Sequence, residues 1–364
     1  MQSVAQIWGH IQASLFPHLE RSLDEPLTEK QRQLVAVLEV ARIEEHVASG
    51  AVQWMGRKQK DRRALARSFV AKAVLNLPTT EALIEELRSS RNLRRLCGWV
   101  RGEAVPSAST FSRAFCEFAH SGLCDRVHEG LVSKHLSERL IGHICRDSTE
   151  IEAREKPVKK PPKPPTVKRR VGRPRKGEEV GQVATTRLPQ QIRQSAAEAL
   201  RELPRACDRG GKRNSKGYMH YWIGYKVHLD VNDVGLPISV VTTSASLHDS
   251  QVAIPLEKLT AQRVTSLYSV MDSAYEAGLI VQACQELGHV PIIDSQKCHG
   301  VKKPFEPATA QRYKVRTTVE RSYGRLKDEF GARYVRVRGH AKVHCHIMFG
   351  VIALFSDQLL KLVT

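Results

Sequence analysis

RYKVRTTVERSYGRLKDEF, residues 312–330, contains four polar side chains at the spacing Tyr-x2-Arg-x3-Glu-x6-Lys, namely Tyr313, Arg316, Glu320 and Lys327. The pattern predicts a single helix, and at about 100° per residue the four side chains share a strip roughly 60° wide. Apolar residues lie beside this strip and charged residues lie opposite it. The strip is predicted to hold one acid, two cations and a phenol beside a buried face. A ladder of i,i+4 ion pairs also accounts for Arg316 and Glu320.

Upstream of this stretch, from residue 217, apolar and polar residues alternate with the period of β-strands. Within the first strand Ile223 is expected on the same buried face as Tyr225. Asp249 is expected either to cap the helix that follows the second strand or to form, with His248, a pair near the acidic site. Strands are predicted at residues 221–230, 237–243, 267–272 and 290–294, with a further helix near 278–287. Together with a strand at 143–151, this order predicts an α/β (α+β) fold, a mixed sheet flanked by helices.

Two aspartates are expected at the ends of buried strands, Asp147 and Asp272. Singly, such an aspartate is usually a helix cap or a turn former. Together with Glu320 they form a set of three carboxylates on three separate elements. In a chain this basic, three converging acids are expected only if cations bind between them. Oxygen ligands suit Mg²⁺ or Mn²⁺. Two such ions about 4 Å apart can generate hydroxide and stabilise both oxygens of a phosphodiester displacement.

Residues 151–216 interrupt this pattern with a basic, proline-rich insert. It contains 19 Lys or Arg against 7 Asp or Glu, which places +12 of the chain's +19 charge there. Residues 157–176 hold nine cations, six prolines and no acid, so the insert is predicted to be largely disordered. Its Gly-Arg-Pro core resembles an AT-hook, with Arg170, Arg173 and Arg175 as candidates for the narrow minor groove of A·T-rich DNA. A charged, solvated linker is the alternative.

Residues 1–140 are predicted to form an all-helical domain, in which Thr79 and Thr80, after Pro78, are candidate N-caps. Residues 83–119 contain a helix, a turn with two glycines and a second helix that opens at residues 107–110. This order resembles a helix-turn-helix, with Arg113 among the polar residues at the start of the second helix. A plain helical hairpin fits the same pattern.

The composition favours an anionic partner. The 364-residue chain is long enough for two domains, and its hydrophobic fraction of 41% is ordinary for a globular protein. Its net charge of +19 and pI near 9.8 are unusually high for a globular protein, and they make nucleic acid the first candidate partner.

The cysteines and apolar runs predict a cytoplasmic protein without a membrane span. Eight cysteines show no CxxC pair and no regular spacing, which is typical of reduced thiols. The first residues lack the pattern of a secretory signal. The longest apolar run, residues 347–355, is about half the length of a membrane span.

The motif DST at residues 147–149, the motif DSAY at residues 272–275 and the Tyr-Arg-Glu-Lys spacing together resemble a bacterial insertion-sequence DDE transposase of the group with the YREK signature. The resemblance covers residues 80–120 and 140–355. It implies an RNase H-like catalytic domain over residues 141–364. It also implies that Asp147, Asp272 and Glu320 are catalytic and hold two Mg²⁺ ions, for which Mn²⁺ substitutes.

The same resemblance implies how DNA is held. Arg316 and Lys327 would bind DNA phosphates with Tyr313 beside them, and the N-terminal helices would bind the transposon ends. The expected partners are therefore transposon ends and target DNA, with a homodimer in the active DNA complex, associated with the bacterial nucleoid.

The sequence therefore predicts a transposase that cleaves the ends of its element and transfers the freed 3′-hydroxyl to target DNA. Two alternatives remain open: a non-catalytic, transposase-derived DNA-binding protein and an RNase H-like nuclease. Three intact acids count against the first, because a binder has no use for charges that repel phosphate. The helix-turn-helix-like segment and the basic insert favour end binding over the second.

Overall fold

The computed structural model describes residues 26–48, 59–159, 187–213, 217–295 and 304–362, and its N-terminal part is helical, as predicted. The ring of Phe69 lies in the core of these helices, 5.7 Å from Phe111 and 4.9 Å from Phe115 between centroids. The helices are α1 (Glu29–Ala41), α2 (Arg62–Val74), α3 (Thr80–Ser89), α4 (Arg91–Cys97), α5 (Ala108–Ser121) and α6 (Leu123–Leu136).

Polar caps determine where several of these helices begin. Thr79 accepts a hydrogen bond from the Ala82 N–H at 3.0 Å, which confirms its predicted capping role. Ser90 accepts one from the Leu93 N–H at 3.2 Å and so opens α4. The predicted first helix of the helix-turn-helix-like segment is therefore two helices, and the segment contains three, α3, α4 and α5.

A six-stranded mixed sheet follows, as predicted. Its path is β2-β3-β1-β5-β6, and β4 also pairs with β3. Strand β3 runs antiparallel to β1, β2 and β4, whereas β5 runs parallel to β1 and to β6. The strands are β1 (Leu140–Glu152), β2 (Asp208–Arg213), β3 (Met219–Asn232), β4 (Pro237–Ser244), β5 (Thr265–Met271) and β6 (Val290–Ile293).

Part of the 151–216 segment is ordered, contrary to the prediction of a largely disordered insert. Besides β2 it contains α7 (Arg187–Arg193) and α8 (Ala196–Arg201). Lys258 donates hydrogen bonds to three carbonyls at the C-terminal end of α7, at 2.6 to 2.9 Å. The helix dipole stabilises a cation at this end. The composition of residues 157–176 predicted disorder, and this prediction was wrongly extended to neighbouring segments that have their own helix-capping residues. The AT-hook-like Arg170, Arg173 and Arg175 lie outside the described residues.

Strand β3 changes its buried face at Gly224. Trp222 is 5% exposed and Ile223 is 43% exposed, so the prediction that Ile223 shares the buried face of Tyr225 is wrong. Gly224 has φ +154°, and a Cβ there would lie 2.1 Å from the carbonyl oxygen of Ile151. Only glycine permits this close approach of β3 to β1, and the irregular backbone shifts the alternation by one residue.

Helices cover both faces of the sheet. Tyr323, in the helix over residues 317–328, packs with the apolar residues of β3 on one face. Thr260, in the helix over residues 250–263, donates a hydrogen bond to Asp230 of β3 on the other. The remaining helices are α9 (Ser250–Arg263), α10 (Gly278–Glu286), α11 (Pro307–Tyr313), α12 (Thr317–Asp328) and α13 (His340–Lys361).

The last helix, α13, packs among the N-terminal helices α1, α2, α5 and α6 as well as against β4 and α12. Residues that the sequence grouped with the catalytic domain therefore complete the helical layer, and the core is continuous across residue 140. By length and composition α13 is able to cross a membrane, but 72% of its most apolar window is buried inside the protein, as in a core helix.

Candidate active site

Strand register places Asp147 and Asp272 at the same level of the sheet. Cys145 of β1 pairs with Val270 of β5, and each aspartate lies two residues further along its strand. Strand β1 continues to Glu152 because it keeps pairing with β3 after its ladder with β5 ends. Asp147 therefore lies within a strand, and the prediction that it ends one is wrong. Asp272 directly follows β5, as predicted.

The signature stretch forms two α-helices joined by a 3₁₀ turn rather than one helix. Helix α11 ends at Tyr313, residues 314–316 form the 3₁₀ turn, and α12 begins at Thr317. A 3₁₀ turn has three residues per turn, so the single-helix prediction misplaces Tyr313 relative to Glu320. Within the turn the Val315 carbonyl accepts a hydrogen bond from Cys145 Sγ at 3.3 Å, which ties the turn to β1.

The guanidinium of Arg316 lies among the three predicted acids. Its Nη1 is 2.5 Å from Glu320 Oε1, and its Nη2 is 3.3 Å from Asp147 Oδ2 and 3.7 Å from Asp272 Oδ2. The i,i+4 pair expected of a surface ladder is present. However, the Arg316 side chain is only 19% exposed and reaches two further elements. The structure thus brings the three carboxylates together around one cation.

Burial disfavours the charged form of two of these acids. It raises the pKa of Asp147 to about 6, although Arg316 opposes the rise. Burial also raises the pKa of Asp272, again against Arg316. Burial would lower the pKa of Arg316, but the surrounding acids outweigh it and the pKa is raised. Any further cation that binds between the carboxylates would stabilise their charged forms.

Tyr323 joins the helix of Glu320 to the strand of Asp147. Its Oη lies 2.6 Å from the Asp147 carbonyl oxygen and 2.9 Å from that of Val227, and it accepts the Leu229 N–H at 3.0 Å. The single hydroxyl proton is donated to one of the two carbonyls. The side chain is buried, so these bonds fix the position of α12 over β1 and β3.

Lys327 and Tyr313 have partners within the protein. Lys327 Nζ lies 2.9 Å from Glu150 Oε1. The ring of Tyr313 packs on Phe305 with centroids 4.9 Å apart, and burial raises the pKa of Tyr313 to about 12, so its phenol stays protonated. The predicted contacts of both residues with DNA remain predictions.

Sequence reasoning missed a lysine beside the acids. Asp249 occupies the N-cap position of α9 but makes no capping hydrogen bond. It accepts instead from Lys226 Nζ at 2.9 Å and from the Ser148 side chain, so the predicted capping role is wrong, whereas the alternative prediction of a position near the acids agrees with the structure. Ser148 adjoins Asp147, which places this pair next to the site. A lysine inside an apolar strand was the available signal.

A second missed residue is Lys212 of β2. It is exposed and close enough that its charge opposes the rise in the pKa of Asp147 and of Asp272. It was overlooked because it falls within the segment predicted to be disordered.

A fully buried ion-pair network supports β1 beneath Asp147. Arg146 forms two hydrogen bonds to Asp230, at 2.8 and 2.6 Å, and its Nη2 lies 2.7 Å from Glu257 Oε2. Glu257 in turn accepts from Ser269 Oγ at 2.6 Å and contacts His289 Nδ1 at 2.5 Å. The network joins β1, β3, β5 and α9. Removal of one member of such a network costs about 3–5 kcal/mol.

Arg113 lies far along the chain from these acids, on the exposed face of α5. It lines a cleft of about 630 Å³ together with Lys60, Arg62 and the hydroxyls of Ser109 and Thr110. One acid, Glu103, also lines the cleft, so its three cations outnumber its acids and an anionic ligand is favoured.

The donor set of the site fits a divalent metal ion in its chemistry. Asp147, Asp272 and Glu320 offer carboxylate oxygens only, the ligands preferred by Mg²⁺ and Mn²⁺. Their common neighbour is already a cation, Arg316. Within the described ranges no group of three or more His, Cys, Asp or Glu side chains is arranged to hold a metal ion with its present side-chain positions.

Comparison with known families identifies the family to which the chain belongs. Residues 139–356 match the family model described as transposase DDE domain, and residues 20–116 match one described as transposase domain (DUF772). No curated protein and no solved structure matches the chain. The first match covers more than half of the chain and includes all three acids, and the chain therefore belongs to the DDE transposase family.

Proposed function

We propose that the chain is a metal-dependent DNA transposase of a bacterial insertion sequence. It cleaves DNA at the ends of its element and joins the freed 3′-hydroxyl to target DNA. The observation that carries the proposal is the convergence of Asp147, Asp272 and Glu320, from three separate elements, on one cation-binding point. The mixed sheet with helices on both faces supports an RNase H-like fold for the catalytic part.

In this proposal the three carboxylates hold two Mg²⁺ ions, or Mn²⁺ in their place. When bound, such ions supply a Lewis acid that activates water and stabilises charge on the phosphate oxygens. The buried positions of Asp147 and Asp272 support this role, because both carboxylates are poorly compensated by Arg316 alone. Tyr323 holds Asp147 and Glu320 at a constant separation.

Arg316 has two roles in the proposal. Without metal it neutralises the three acids, and with metal bound its guanidinium turns to a phosphate of the DNA, which is a ligand that its planar fork suits. Lys327 exchanges Glu150 for a neighbouring phosphate in the same way. Tyr313, protonated at neutral pH, donates a hydrogen bond beside them.

The N-terminal helices bind the transposon ends in this proposal, with Arg113 facing the DNA. The polar, cation-lined cleft at the start of α5 supports this assignment. We further propose that the active complex with DNA is a homodimer, since an element has two ends to be joined, and that the protein works at the bacterial nucleoid.

The test is a cleavage assay with the full chain and labelled duplexes taken from the DNA that flanks its reading frame. Cleavage and strand transfer are expected with Mg²⁺ or Mn²⁺ and not with Ca²⁺ or EDTA. Glu320→Gln preserves shape and removes the charge, so cleavage is expected to fall at least about a thousandfold, or about 4 kcal/mol. Its DNA affinity and melting temperature should stay near those of the wild type.

Four outcomes count against the proposal or one of its parts. Full activity in EDTA excludes metal catalysis. Cleavage of any duplex without strand transfer indicates the nuclease instead, and end binding without cleavage indicates the non-catalytic DNA-binding protein. A Glu320→Gln protein that melts normally and still cuts removes Glu320 from the catalytic set.

A further inference from the structure

A second cleft, of about 560 Å³, lies between the N-terminal helices and the end of β1. Its walls come from α2, the start of α3, α5, the segment after β1 and the segment that leads into α13. Five cations and one acid line it: Lys72, Arg154, Arg336, Arg338, Lys342 and Glu81. No site discussed above includes these residues, so the cations require another explanation.

Most of these cations have no acid partner. Among the residues that the structure describes, no ion pair within 4.0 Å involves Lys72, Arg154, Arg336 or Lys342, whereas cations elsewhere are paired with acids, as at Arg325–Asp357. Proteins seldom leave several cations facing one cavity without an anion, because their mutual repulsion costs free energy. A ligand with several negative charges is therefore the complement of this cleft.

Two contacts hold the basic segment in place. Arg338 Nε donates to the Arg154 carbonyl at 2.9 Å, and the Gly339 N–H donates to the Glu155 carboxylate at 3.2 Å. Glu155 also accepts from Tyr225 Oη at 2.6 Å. Glu155, the acid next to Arg154 in the sequence, is thus occupied by two neutral donors, Gly339 N–H and Tyr225 Oη. These contacts hold the segment 336–342 beside the end of β1.

Lys72 adds a partly buried charge to the floor of the cleft. Burial lowers the pKa of Lys72 to about 8, and Glu81 opposes this only in part. His346 beside it is neutral at pH 7, since burial lowers its pKa to about 4, and its Nε2 lies 3.0 Å from the Gly331 carbonyl oxygen, to which it donates. An anion in the cleft would stabilise the charged form of Lys72. The hydroxyls of Thr79, Thr80 and Ser112 supply neutral donors for the same ligand.

We propose that this cleft binds the sugar-phosphate backbone of duplex DNA between the end-binding helices and the active site. The inference rests on the proposed transposase function and names a surface that this function uses. Arg154 lies seven residues after Asp147 and two residues after the end of β1, so at about 3.3 Å per residue the two lie at most roughly 23 Å apart. In a duplex that runs along β1, the phosphates of one strand follow at about 3.4 Å along the axis, so the phosphates bound in the cleft are expected within roughly seven nucleotides of the bond that is cut.

The first test measures the salt dependence of DNA binding by the full chain with a 30-base-pair duplex of arbitrary sequence. Arg336→Ala/Lys342→Ala is expected to reduce the slope of log K against log salt by about 1.8, or about 0.9 per lost phosphate contact. The matched control is Arg193→Ala/Arg201→Ala, which removes the same charge from exposed positions of α7 and α8, outside the N-terminal helices and the cleft, and should leave the slope unchanged. If the double variant folds poorly, Arg336→Gln alone is expected to reduce the slope by about half as much.

The second test localises the contact. Neutral methylphosphonates are placed singly along a duplex whose cleavage point is mapped. In the wild type, substitutions at positions within roughly seven nucleotides of that point should weaken binding, and at the positions that contact the cleft they should have no further effect in the double variant. Inorganic phosphate is titrated in parallel by calorimetry.

The outcomes separate this inference from the proposed function. A wild-type protein that binds no DNA overturns both. A wild type that binds and cuts DNA, with a double variant that keeps its slope and its methylphosphonate sensitivity, overturns only the assignment of the cleft. If the double variant loses affinity for inorganic phosphate alone, the cleft is a site for a small anion and the DNA assignment is wrong.

Discussion

The hydroxyl of Tyr323 on α12 lies 2.6 Å from the carbonyl oxygen of Asp147 on β1. One buried side chain therefore sets the distance between the helix that carries Glu320 and the strand that carries Asp147. The contact is made by the backbone of Asp147, so its carboxylate is left for Arg316.

Tyr323→Phe removes this link while it keeps the ring. Because the Leu229 N–H loses its acceptor in the interior, the free energy of unfolding is expected to fall by about 1–3 kcal/mol. The Mn²⁺ concentration for half-maximal cleavage is expected to rise about 10-fold or more, as when other groups that orient metal ligands are lost. Tyr334→Phe, at a tyrosine that is 48% exposed, is the control. A stability loss without any change in metal dependence would leave Tyr323 a purely structural residue.

Arg316→Ala is expected to have opposite effects on metal and on DNA. Without the guanidinium, the three acids repel one another, so in EDTA the protein should lose about 1–3 kcal/mol of stability. Mg²⁺ should then raise its melting temperature by more than it raises that of the wild type, while DNA affinity falls. Lys327→Ala, whose partner is Glu150, should weaken DNA binding without this gain from Mg²⁺. Identical behaviour of the two variants in thermal melts and in binding assays would contradict the proposed division of roles.

Asp147→Asn is expected to stabilise the metal-free protein above pH 6. Since the folded protein raises the pKa of Asp147 from 3.8 to about 6, the charged carboxylate favours unfolding by up to about 3 kcal/mol once the pH exceeds both values. The penalty shrinks as the pH falls from 6 and is absent below 3.8, where the carboxyl is protonated in both states. Denaturant unfolding of both proteins in EDTA at pH 7.5 and pH 4 measures the difference. Equal gains at both pH values would show that the charge is not the cause.

Deletion of residues 157–176 is expected to weaken DNA binding through lost phosphate contacts. The slope of log K against log salt should flatten by about 0.9 for each contact that the insert makes. Replacement of Gly172-Arg173-Pro174 by alanines should mainly reduce preference for A·T-rich duplex over G·C-rich duplex in competition assays. An unchanged slope would mean that the insert does not touch DNA, and a retained preference would exclude minor-groove insertion.

Local pattern was sufficient for most elements of the fold. The period of two from residue 217 predicted β3, β4, β5 and β6 within a few residues, and the capping role of Thr79 followed from its place before an apolar helix. These features depend on residues close together in the chain. The pattern failed where a distant segment intervened, as at Gly224, where contact with Ile151 changed the buried face of β3.

For the candidate site, the sequence by itself determined which residues are chemically able to act: two aspartates, a glutamate and the cations at signature spacing. Only the tertiary structure decided that they meet. The register of Cys145 with Val270 places the two aspartates at the same height in the sheet. Tyr323 and Arg316 contact Asp147, about 170 residues away in the chain, and so join α12 and its preceding turn to β1. Spacing along a helix is a property of one segment, whereas convergence depends on strand register and packing between segments, which no local pattern encodes.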